Sequence, residues 1–114
     1  MRNISETPES WVILKIKSNE TYYRVFAGWG GGYLDADKWK MNSGIVGIEE
    51  DDEYYYFEGH SGSCYKCNKN SYGLKNGEYW FASYVQQILM NIIEKSPVPI
   101  EILDENVDFN KLLE

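Results

Sequence analysis

The stretch "GIVGIEEDDEYYYFEGHSGSCYKC", Gly44 to Cys67, decides the fold. Short runs rich in β-branched and aromatic residues are broken by acids and then by glycines. That pattern predicts three strands, Ile45 to Glu50, Glu53 to Glu58 and Ser63 to Asn68. Asp51-Asp52 joins the first two, and Gly59 to Gly62 turns the chain between the second and third. The two glycines bracket His60 and Ser61 because a tight turn needs permissive backbone.

Upstream, "WVILKIK" (Trp11 to Lys17) alternates, with Val12, Leu14 and Ile16 on one face and Trp11, Ile13, Lys15 and Lys17 on the other. This is the pattern of a half-buried strand. "YYRVFAGW" (Tyr22 to Trp29) returns beside it, and the glycine-rich "GGGYLDADKWKMNS" reads as a long loop. Downstream, the apolar residues from Trp80 to Ile93 recur in pairs every four positions, which predicts an amphipathic helix from about Glu78 to Lys95. Pro97 and Pro99 stop it. "VPIEIL" suits an extended edge segment, and Asp104 is placed to cap a last helical turn. The expected fold class is therefore α+β. A five-stranded antiparallel meander, flat or curled toward a small barrel, is packed by one long C-terminal helix. All 114 residues form one domain, with residues 1–10 as a loose arm and 97–114 as a proline-flanked extension.

Charge narrows the function. Net charge is −7, and Glu49 to Glu58 holds six acids without a Lys or Arg. Arginine occurs only at 2 and 24. Sequence-independent binding to DNA or RNA needs cations that neutralise phosphates, so direct nucleic-acid binding is not expected. No apolar run reaches transmembrane length, and "MRNISETPES" lacks the apolar centre of a signal peptide. With two cysteines and no disulfide framework, a reducing cytoplasm is the expected compartment.

The candidate chemistries mostly fail on spacing. Gly59-His60-Ser61-Gly62-Ser63 resembles a nucleophile elbow but puts Ser where the last Gly should be, and it joins strand to strand. His60, Cys64 and Cys67 offer three soft ligands. On a strand, however, residues three apart point to opposite faces with Cα atoms about 10 Å apart. No metal, cofactor or catalytic residue is expected. The adjacent carboxylates Glu49, Glu50, Asp51, Asp52 and Glu53 read as a solvated tip rather than an acid–base pair. The loop carrying Trp29, Tyr33, Asp35, Asp37 and Trp39 mixes rings and carboxylates among glycines. That mix suits contact with a sugar, nucleobase or peptide, or else the rings fold back as core. The turn residues His60, Ser61 and Ser63 complete the candidate binding set.

"WKMNSGIVGIEEDDEYYYFEGHSGSCYKC" resembles small bacteriophage and prophage proteins of uncharacterised role, over roughly residues 11–73. In those, a Trp precedes N-S-G-I, an acidic turn and an aromatic Y-x-F-x-G-x-S-G-S-x-Y segment. The resemblance carries no catalytic residues and implies only a context: a short accessory protein in the cytoplasm of an infected bacterium. The leading expectation is a non-catalytic interaction protein. Its acidic surface would engage or inhibit a host protein with a basic surface, in an anti-defence role. The alternative is a nucleotide- or sugar-binding protein that uses the aromatic, glycine-rich loop, with homo-oligomer formation open in either case.

Overall fold

β1 (Ser10–Lys17) and β2 (Thr21–Trp29) form an antiparallel hairpin in which Ser10 faces Gly28 and Lys17 faces Thr21. A computed structural model describes residues 3–29, 38–73, 75–76, 79–80 and 83–114 of the chain. β3 (Lys38–Met41) adds to β2, and β9 (Ile100–Ile102) adds to the other side of β1. The first sheet thus has the order β3-β2-β1-β9, with β1 and β2 inside. β4 (Ile45–Glu50), β5 (Tyr54–Gly59) and β6 (Cys64–Asn68) form a second antiparallel sheet in the order β4-β5-β6.

The single five-stranded meander expected from the sequence therefore does not form. The strand segments exist, but two open sheets share them, and no barrel closes among the described residues. The break lies at Asn42 to Gly44. Asn42 is buried, and its side-chain oxygen accepts from Val25 N at 2.8 Å while its own N–H donates to Val25 O at 3.0 Å. Arg24 Nε donates to Asn42 O at 2.7 Å. These bonds fasten the chain to β2, and Gly44 then turns it at φ 127°, in a region that L side chains rarely enter. β4 consequently starts on a new ladder rather than extending the first.

The long helix is corrected as well. α1 spans Ser83–Lys95, 13 residues. Before it, β7 (Lys75–Asn76) pairs with β8 (Tyr79–Trp80), and backbone committed to a ladder cannot be helical. The apolar period that runs back to Trp80 overstates the helix. Asn76-Gly77, a strong hairpin signal in sequence, competes with it there.

Burial corrects the reading of β1. Trp11, Val12, Ile13 and Leu14 are all fully buried, so the strand is covered on both faces and not on one. The Trp11 face meets the second sheet and the chain's C-terminal 3-10 turn (Phe109–Lys111). Trp11 lies 5.4 Å from Phe57, 4.7 Å from Tyr72 and 5.5 Å from Phe109, ring centre to ring centre. Its indole N–H donates to Asn68 O at 2.7 Å. Val85 and Leu89 of α1 are buried in the same cluster.

The described segments toward both ends of the chain are fastened. The N-terminal residues expected to hang loose cover the free edge of β6. Ser5 N donates to Cys64 O at 2.8 Å and Lys66 N donates to Glu6 O at 2.9 Å, with Glu6 bridged to Tyr65 in parallel. At the other end, Asp104 caps a turn, accepting from Asn106 N at 2.8 Å, and Asp108 caps the final 3-10 turn, accepting from Asn110 N at 3.1 Å.

Candidate functional site

The β4–β5 hairpin ends in Asp51-Asp52-Glu53, and Asp51 builds that tip. One carboxylate oxygen accepts from Glu53 N at 2.9 Å and Tyr54 N at 2.8 Å, while the other accepts from Tyr56 Oη at 2.6 Å. Hydrogen bonds to the ionised form favour it, so Tyr56 first and the two backbone amides next hold the carboxyl at about 2. Asp51 is therefore a turn-forming residue. Asp52 and Glu53 are exposed around it, as are Glu49 and Glu50 along β4.

A pH prediction follows from the tip. A folded-state value below the ordinary 3.8 means that Asp51 contributes stability above pH 4, and the contribution is lost as pH falls through about 2. Wild type should thus lead Asp51→Asn in urea midpoint at pH 6, and the gap should close progressively between pH 4 and pH 2. A gap independent of pH would show that the carboxylate's charge is not what the tip uses.

Strand alternation places different side chains on the two faces of β5. On one face, Tyr54 and Tyr56 stand beside the tip, and Lys66 Nζ lies 4.3 Å from the Tyr54 ring centre. With Asp51, Asp52 and Glu53 they line an open cavity of about 290 Å³. On the other face, Tyr55 packs edge-on against Phe109 at 5.5 Å. Tyr55, Tyr72 and Phe109 wall a second cavity of about 370 Å³, rimmed by Lys69, Asn70, Glu105 and Asn106. Glu50 reaches the same rim, where it pairs with Lys69 Nζ and with the Asn110 amide. The Lys69 bond lowers the Glu50 carboxyl and raises the Lys69 ammonium.

The remaining candidates are dispersed. His60, Ser61 and Ser63 lie at the far end of β5, about 17 Å from the acidic tip at ~3.3 Å per residue. Their turn is pinned to the link between the sheets. His60 N donates to Gly44 O at 2.8 Å, Ser61 N donates to Ser43 Oγ at 2.8 Å, and Ser43 Oγ donates to Ser61 Oγ at 3.1 Å. Gly59 fits because a Cβ there would lie 2.9 Å from Ser63 Oγ and 3.0 Å from Ser43 Oγ. The serines near His60 thus serve the turn.

Trp29 and Trp39 are engaged in packing. Trp39 lies on β3, not in a loop, and stacks on Phe26 at 5.2 Å and 15°. The Trp29 indole N–H donates to Thr7 O at 3.1 Å, and Lys38 Nζ lies 5.4 Å from its ring centre. Tyr33, Asp35 and Asp37 lie outside the described residues. Cys64 and Cys67 are buried and form no disulfide, and burial pushes Cys67 well above the ordinary thiol range. Among the described residues, no cluster of His, Cys, Asp and Glu is placed to hold a metal ion. No described helix is long and apolar enough to cross a membrane.

Sequence reasoning missed the second cavity. Its walls come from β5, from Tyr72 and from Phe109, segments far apart in the chain. The Asn68-x-Asn70 and Asp108-x-Asn110 spacings do mark two side-chain-capped turns. Nothing in the spacing says that these turns lie together. Compared with protein-family models, curated proteins and solved structures, the chain has no match.

Proposed function

We propose that this protein works by binding and not by catalysis: the β4–β5 hairpin presents a preorganised acidic surface to a protein with a basic surface. The observation that carries the reading is the division of labour at the tip. Asp51 is engaged in the turn by three hydrogen bonds, so Asp52 and Glu53 project from a fixed backbone, next to the exposed Glu49. Carboxylates fixed before encounter lose less entropy on binding and steer a basic partner over a distance set by the ionic strength. The resemblance to phage proteins supports an infected bacterial cytoplasm as the setting. There, a host enzyme that handles nucleic acid would offer the basic surface, and blocking it would give an anti-defence role.

The test uses a peptide rich in arginine and lysine, titrated calorimetrically at low and high salt. An exposed ion pair contributes about 0.2–1 kcal/mol. Neutralising three tip acids together (Glu49→Gln, Asp52→Asn, Glu53→Gln) should therefore weaken binding about tenfold and flatten its salt dependence. A control with the same change in net charge alters Glu20, Glu94 and Glu101, in the β1–β2 turn, α1 and β9. It should weaken binding less than threefold. Equal weakening by the two sets would overturn the assignment to the hairpin.

A further inference from the structure

The cavity behind Tyr55 is walled by aromatic rings, and carboxylates stand around it. Glu105 stands on its rim and Glu50 reaches it through Lys69. Their field is felt inside. Burial raises the Tyr55 hydroxyl, and Glu50 and Asp108 raise it further against the opposing pull of Lys69. Burial likewise lifts Tyr72 to about 12, with Asp104 and Glu105 adding to it. Lys69 is the single cation among the described lining residues, and its Nζ sits 5.0 Å from the Tyr55 ring centre while pairing with Glu50.

A negative cavity with ring faces repels phosphate and favours a cation, since an ammonium or guanidinium is attracted both by carboxylates and by the face of an aromatic ring. At about 370 Å³ the space is at the small end for ligand sites, large enough for one side chain and too small for a dinucleotide. The chain's own lysines display the same preference on both faces of β5, Lys66 over Tyr54 and Lys69 over Tyr55.

We infer that this cavity receives one arginine or lysine side chain of the basic partner, and that Lys69 holds Glu50 and the Tyr55 face at its rim in the free protein. The inference rests on the acidic-surface reading and extends it: Glu50 lies on the acidic strand and pairs with Lys69 of the cavity rim, so one bound chain can lie along the tip and seat a side chain behind it. Lys69 is then a resident competitor that an incoming guanidinium displaces, taking over Glu50 and the Tyr55 face.

The consequence is that removing Lys69 improves binding. With the same basic peptide, Lys69→Gln should bind about threefold tighter or better, because it vacates a ring face and a carboxylate. Lys95→Gln, at the end of α1, removes the same charge and should change affinity by less than about half that factor. Lys69→Arg retains the charge and spans Glu50 more firmly, so it should bind no better than wild type. Peptide added to Lys69→Gln should shift the backbone amide resonances of Tyr55, Glu105 and Asn106. Equal tightening by Lys69→Gln and Lys95→Gln would overturn the inference, as would Lys69→Arg matching Lys69→Gln. Resonance shifts confined to Asp52 and Glu53 would overturn it while leaving the acidic-tip reading intact. Shifts at the cavity with methyl glucoside and none with peptide would also overturn it. If the peptide binds neither wild type nor Lys69→Gln, both readings fall.

Discussion

Trp11→Ala should cost about 3–5 kcal/mol, the range for truncating a large buried ring. Native stabilities are only about 5–15 kcal/mol, so the variant is expected to be largely unfolded or close to it at room temperature. The size of the effect follows from what Trp11 joins. It lies in β1 of the first sheet, touches Tyr55 and Phe57 of the second, and packs on Tyr72, just after a 3-10 turn at Lys69–Ser71, and on Phe109 of the C-terminal 3-10 turn. Its N–H also satisfies Asn68 O, where β6 ends. Removing the ring opens a void among four aromatic neighbours that β-sheet ladders hold apart, so collapse into it is limited. Urea unfolding followed by circular dichroism measures the loss. Trp11→Phe keeps a ring but leaves Asn68 O without its indole partner, and should fall between the alanine variant and wild type. An alanine variant within 1 kcal/mol of wild type would show that the two sheets do not depend on this contact.

Tyr72→Phe, which deletes one oxygen, is the second large effect. The Tyr72 hydroxyl donates to Leu103 O at 2.6 Å and accepts from Ile13 N at 3.1 Å, and all three residues are buried. Phenylalanine leaves both backbone groups without this partner, at about 1–3 kcal/mol for each buried group left unsatisfied. The same hydroxyl carries an alkaline signature. Its folded-state value is raised from 10 to about 12, by burial first. A raised value means that the contribution is complete below pH 10 and is lost as pH climbs through 12. The urea-midpoint difference between wild type and Tyr72→Phe should therefore be constant from pH 7 to 9.5 and shrink above 10. A difference that survives unchanged at pH 12 would mean that shape, and not the hydroxyl, holds the segment.

The contrast between Tyr72 and Asp51 explains how much of the candidate site could be read in advance. Asp51 acts on residues two, three and five positions ahead, so a local turn signal was enough to find the tip. Tyr72 acts on residues 59 and 31 positions away. No window on the sequence contains those partners. Lys69, Glu105, Asn106 and Phe109 were missed for the same reason: a cavity whose walls come from three separated segments has no linear signature. Trp39 was misplaced differently, because glycines before it suggested a loop that the ladder with Phe26 to Trp29 overrides.

Local chemistry in the sequence by itself determined the strand segments around Trp11, Val25, Ile48, Phe57 and Tyr65, the hairpin turns, the helical stretch before Pro97 and the acidic tip. Each depends on period, turn residues or charge within a few positions. The tertiary structure alone decided that these strands divide between two sheets, because the division depends on Asn42 bonding back to Val25 across the chain. It also decided that β1 is buried on both sides, because burial depends on what arrives from elsewhere. Alternation along a strand says that two faces differ; only packing says whether either of them meets water.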